Sequence, residues 1–252
     1  MNTYSVKGST LKIIAVVTMM IDHVGACVLQ PMLNNKGVLA TAVLGIEAIL
    51  SLEGNNKILA ILWWIMRMII GRIAFPIYCF LLVEGFVHTR NVAKYAIRLF
   101  VFAIISEIPF DLAFYQQTIN SMHQNVFFTL LIGLLTMWGM SYVYSKFNHG
   151  IIAQIIVALI GMSSAEMLKT DYGASGVALI LLLYLYRYKR NIQMIIGCVA
   201  GALILNELAA PLSFIFISGY KGEKGLKLKY LFYIIYPLHL VLLHVAWVLM
   251  GR

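Results

Sequence analysis

Asp22 and His23 stand side by side in "MMIDHVGACV", residues 19–28, within a stretch that is otherwise apolar. A carboxylate and an imidazole are the parts of proton-transfer and acyl-transfer chemistry. The ring takes a proton from an attacking amine or hydroxyl, or attacks in its own right, while a carboxylate orients it and stabilises its charged form. Adjacent helix positions do not face one another, so each residue needs its own partner. An ionised side chain at the bilayer centre costs about 3 kcal/mol on insertion scales. Other buried groups must offset that cost.

The chain carries such groups. Arg67 and Arg72 lie in apolar sequence, and Glu107 and Asp111, four apart, share one helical face. Pro109 between them kinks that helix. These spacings predict an ion pair between Arg72 and Glu107 or Asp111. Asp171 and Tyr172 in the turn "KTDYGAS", together with His239 three residues after Tyr236, are candidates for the acceptor side. Each has a plain structural alternative: an ion pair, a helix cap, a hydrogen-bonded core histidine beside Pro237. His23, His239 and His244 have no ligand spacing with the carboxylates, so no metal is expected.

A second set reads differently. Glu84 and His88 are four apart and are followed by Arg90, Lys94 and Arg98. Such a run sets membrane topology and contacts anionic lipid, or receives the phosphates of a cytoplasmic substrate. Tyr95 and Phe100 interleave with it over too short a run to stack bases, so nucleic acid is not an expected partner.

The elements that position these residues follow from composition. Of 252 residues, 62% are hydrophobic and 12% charged, which predicts an all-α, polytopic membrane protein folded as a single domain over 1–252. The apolar segments predict about nine spans, at 10–30, 60–87, 93–115, 125–145, 150–168, 174–188, 191–206, 207–219 and 230–250. The stretch 37–52 is expected to lie at the interface or re-enter. Most of the charge of +9 falls in alternate loops, including Lys221, Lys224, Lys227 and Lys229 before the last span. That places the N-terminus in the cytoplasm, provided 191–219 is a hairpin broken at "NELAAP". Cys27, Cys79 and Cys198 all sit in apolar sequence and read as small core residues. No cleavable signal is evident.

The segments "LKIIAVVTMMIDHVGA", "ISEIPFDLAF", "DYGASGVALILLLYLYR" and "YLFYIIYPLHLVLL" together resemble the TraX family from about residue 8 to 245. That resemblance implies acetyl transfer from acetyl-coenzyme A to an extracytoplasmic acceptor, a peptide amine or a cell-envelope glycan, in a bacterial plasma membrane. A wider similarity to integral membrane O-acyltransferases places a basic residue, Lys12, before His23 with ten residues between them. "GRIAFPIYCFLLVEG" is similar to a segment of the heparan glucosaminide N-acetyltransferase group. Together these imply that His23 is the general base or the nucleophile, oriented by Asp22 or by a carboxylate reached from Glu107 or Asp111, with Arg72 holding a carboxylate or stabilising the oxyanion. Lys12, Arg90, Lys94 and Arg98 would then receive the donor's phosphates. A proton-coupled transporter is the rival reading of the same buried charges.

Overall fold

A computed structural model describes residues 5–43, 45–147, 150–226 and 229–250. Among the described residues the regular elements are helices, apart from two isolated bridges, Val6 with Tyr220 and Gln124 with Thr170. They are α1 (Gly8–Asn35), α2 (Leu39–Val43), α3 (Ile46–Leu50) and α4 (Gly54–His88). Then follow α5 (Val92–Tyr115), α6 (Val126–Lys146), α7 (Ile151–Met167), α8 (Gly173–Leu185), α9 (Arg190–Leu203), α10 (Ser213–Ser218) and α11 (Lys229–Leu249).

Helices α1 and α4 are continuous over 28 and 35 residues, and each contains one wide π turn, at Gly25–Leu29 and Ile65–Ile70. The two helices meet at those turns. A Cβ on Gly71 would collide with the Asp22 carboxylate, and one on Gly25 would stand 3.1 Å from Arg67 Cγ. Two glycines therefore let the backbones approach closely enough for Asp22 and Arg67 to meet.

The remaining helices pack round this pair. α1 lies on α4, α5 lies between α6 and α11, and α8 contacts α4, α6, α7 and α9. Phe80, Leu134, Met137, Ile180, Leu183 and Leu240 are fully buried in the common core. Asn91 caps α5 by accepting from Lys94 N at 2.8 Å. Asn125 caps α6 by accepting from Phe127 N at 3.1 Å. Among the described residues four helical segments are long and apolar enough to cross a membrane: α1, α4, α6 and Leu231–Leu249 of α11. Rows of isoleucine remain uncovered on α5 (Ile97, Ile104, Ile105, Ile108) and α7 (Ile151, Ile152, Ile155, Ile156). Apolar surface of that extent suits lipid rather than water.

Two faces can be told apart. On the basic face Gly8 N donates to Glu223 O at 2.7 Å and Arg190 Nη2 donates to the Ile217 carbonyl at 2.5 Å. This brings the N-terminus, the start of α9 and the loop before α11 together. On the distal face Asp171 N donates to Gln124 O at 2.8 Å, which joins the loops before α6 and α8.

Two expected stretches take a more particular form. The break near "NELAAP" is present, but the return limb expected to span at 207–219 is a 3-10 turn, Ala210–Leu212, followed by the six-residue α10. The limb still returns from Glu207, bonded to Arg72 in the distal cluster, to Ile217, bonded to Arg190 on the basic face, so the hairpin closes without one continuous helix. Over 37–52 the chain forms α2 and α3 on either side of Gly45, whose φ is 114°. Ile49 of α3 packs with Leu33, Val38, Ala60 and Trp63 in a small core of its own. Residue 44 lies outside the described residues, as do Lys227, one of the four lysines expected before the last span, and the side chain of Lys229.

Candidate functional site

The π turn of α4 sets the geometry of the distal charges. It moves the hydrogen bond of Gly71 N back to the Met66 carbonyl, so the Arg67 carbonyl is left to accept from Arg72 Nε at 2.6 Å. Arg72 is thereby fixed with its guanidinium tip pointing across α1. Arg72 Nη1 donates to Glu207 Oε1 at 2.5 Å, and Nη2 lies 3.5 Å from Asp22 Oδ1. Arg67 Nη1 donates to Asp22 Oδ2 at 2.5 Å. Two arginines and two carboxylates thus neutralise one another, as largely buried charges must.

The expected partner of Arg72 was Glu107 or Asp111, and the structure corrects this. Those residues lie on α5, which packs on α6 and α11 and does not face the Arg72 turn. Glu107 accepts instead from the Asn125 side chain, and Asp111 Oδ2 accepts from Asn120 N at 2.7 Å. They brace the loop between α5 and α6. Neither is among the partners of His23, nor is Asp22, whose oxygens point at the arginines.

His23 faces another way, as adjacent helix positions require. Its Nδ1 lies 2.6 Å from Nε2 of His239 on α11. His239 Nδ1 lies 2.8 Å from the Ile235 carbonyl. The His23 ring is edged by Phe114 at 5.1 Å and Tyr236 at 6.0 Å between centroids.

Asp171 and Tyr172 close the distal side. The Thr129 hydroxyl donates to the Asp171 carbonyl, and Tyr172, at φ 65°, stacks on Phe75 at 3.7 Å. Burial raises the Asp171 carboxyl to about 6; the Asp22 and Glu207 charges add to the shift, and Arg72 and Arg67 oppose it. A distal recess of about 340 Å³ is lined by His123, Glu166, Lys169, Thr170 and Tyr172.

A larger cavity, of about 580 Å³, enters from the basic face. Lys12, Glu84, His88, Arg98 and Lys224 surround its mouth, and Leu81, Leu99, Phe127 and Leu130 form its walls. Its inner end is Met19, Tyr78 and Tyr236, with the Tyr78 hydroxyl 3.8 Å from Met19 Sδ. Met19 is one turn before His23, on the same face of α1. Arg98 Nε is buried and has no hydrogen-bond partner among the described residues. The other cations of the expected set divide: Lys12 lines the cavity with Nζ 5.5 Å from the Phe232 ring centre, whereas Arg90 and Lys94 are exposed and do not line it.

Sequence reasoning undervalued Arg67, Glu207, Tyr236 and Lys224. The signal for Arg67 was a charge in the middle of "IMRMII", and for Glu207 a carboxylate at a helix break.

Fold and site together define a helical membrane protein in which a histidine pair, His239 buried and His23 half-buried, lies between a basic-mouthed cavity and an ion-paired cluster. The chain belongs to the TraX protein family, whose model matches residues 7–247. Over 207 residues it is 32% identical to the probable fimbrial assembly protein FimC, serogroup H1, of Dichelobacter nodosus, a match covering 69% of this chain and 80% of that one. No solved structure matches the chain.

Proposed function

We propose that the protein is an integral membrane acyltransferase that moves an acetyl group from cytoplasmic acetyl-coenzyme A to an amine or hydroxyl on the outer side of a bacterial plasma membrane. The observation that carries this reading is the cavity of about 580 Å³, which leads from cations at one face to within a helical turn of His23. Its volume is in the range of small-molecule sites, about 300–1,000 Å³. An apolar shaft below a basic rim suits a donor with phosphates at one end and a thioester on a slender arm at the other. The positive-inside rule puts that rim in the cytoplasm.

His23 is the general base in this reading. The acceptor's proton passes to the imidazole, the acceptor nitrogen or oxygen bonds to the acyl carbon, and the C–S bond breaks. The proton then goes to the thiolate, which leaves as the free thiol of coenzyme A. The acceptor approaches from the distal recess, past Tyr172 and the ion-paired cluster. The similarity to a fimbrial assembly protein favours a surface-structure subunit as that acceptor, with a cell-envelope glycan as the other class.

Purified protein in nanodiscs tests the donor half. Saturable binding of acetyl-coenzyme A and of free coenzyme A, outcompeting nucleotides that lack the pantetheine arm, is the expected result. Absence of donor binding, together with substrate-linked proton movement in vesicles, would instead establish a transporter.

A further inference from the structure

We infer that His239 is the positioning residue for His23, and that it fixes His23 as the Nδ1–H tautomer with Nε2 bare. The geometry is read from the Ile235 carbonyl upward. A carbonyl only accepts, so the contact of 2.8 Å to His239 Nδ1 requires the hydrogen on that nitrogen. In a neutral ring the other nitrogen, Nε2, is then an acceptor. His23 Nδ1 lies 2.6 Å from it and must carry its own hydrogen, because two lone pairs at that distance would repel. The remaining nitrogen, His23 Nε2, has no hydrogen-bond partner among the described residues, and His23 itself is only half-buried. One backbone carbonyl on α11 thereby orients a lone pair on α1.

The arrangement performs the task usually given to a carboxylate, with a neutral acceptor in its place. Asp22 is unavailable for it, since both its oxygens are engaged by Arg67 and Arg72. When His23 Nε2 takes a proton, its Nδ1–H stays bonded to His239 and the positive charge is shared toward a second ring. Phe114 and Tyr236 hold the His23 plane, so a tautomer change would leave the proton on the wrong nitrogen without moving the ring.

This inference rests on the proposed acyl transfer for its kinetic consequence, but the tautomer can be read without any activity. In full-length protein labelled with ¹³C,¹⁵N-histidine in nanodiscs, His23 should show the Nδ1–H pattern in the wild type and lose it in His239→Ala. His23→Gln assigns the signal. In single-turnover assays His239→Ala should lose transfer by about 100-fold or more with donor affinity unchanged. His239→Gln, whose amide oxygen can accept from His23 Nδ1, should keep the rate within about tenfold of the wild type. A wild-type His23 in the Nε2–H form, or equal rates in His239→Ala and the wild type, would overturn the inference. A correct tautomer in a protein that binds no donor would leave the inference standing and remove the proposed activity.

Discussion

At the distal end Arg67 and Arg72 are matched against Asp22 and Glu207 at contacts of 2.5 Å. At the basic end Arg98 lines a cavity and makes no ion pair among the described residues, and Lys224 stands at the same rim. The same two helices, α1 and α4, run through both regions. Where cations and carboxylates match within the protein, the charges hold helices together and leave no net field for an anion. Where cations face an open, apolar-walled space, a ligand can supply the missing charge. The histidine pair lies between these regions, so in the proposed reaction a donor bound at one and an acceptor arriving past the other would meet at His23.

The contrast breaks most severely at its distal end. Arg72→Leu strands Glu207, while Asp22 keeps Arg67, and removing one partner of a buried pair costs about 3–5 kcal/mol. The unfolding midpoint in detergent should fall sharply. Adding Glu207→Gln should recover part of it, whereas Glu107→Gln in the same background should recover nothing, because Glu107 is bonded elsewhere.

The basic end should respond in binding rather than in stability. Arg98→Gln with Lys224→Gln should weaken binding of the coenzyme A donor by about 10- to 100-fold, the scale of a lost charge-assisted contact. Arg90→Gln with Lys94→Gln, outside the cavity, should change it by less than about threefold. Titration of labelled donor into nanodiscs separates the two pairs. Equal weakening would move the phosphate site out to the α4–α5 turn.

The smallest effect concerns Asp171. Its carboxyl is raised to about 6 by burial, above the ordinary range near 4, so the folded state holds the proton more tightly than the unfolded chain. The contribution of Asp171 to stability is therefore greatest below about pH 4 and is lost as pH rises toward 6. Asp171→Asn should flatten that slope and raise the unfolding midpoint slightly at neutral pH.

Helical class and buried charge were legible in the sequence because composition and hydrophobic runs are local properties. So was the need for separate partners at Asp22 and His23, since helix geometry alone sends neighbours in different directions. The partners themselves were not legible. Arg72 meets Glu207 across 135 positions and His23 meets His239 across 216. Charge type and estimated depth suited Glu107 and Asp111 equally well as partners for Arg72. What excluded them is the side of the bundle that α5 occupies, a packing result with no local pattern. The π turns were hidden for a similar reason: "GACVL" and "IMRMII" read as ordinary apolar helix, and the bulges show only where α1 and α4 cross.

The central claim is that His23 performs the chemistry while the basic-face cavity holds the donor. Single-turnover transfer of a labelled acetyl group in nanodiscs, measured alongside donor affinity in His23→Ala, tests it most directly. Transfer should fall by about 100- to 10,000-fold, the range of general-base catalysis, with donor affinity within about threefold of the wild type. Undiminished transfer in His23→Ala would contradict the account, and a parallel loss of donor binding would make His23 a residue of the binding site instead.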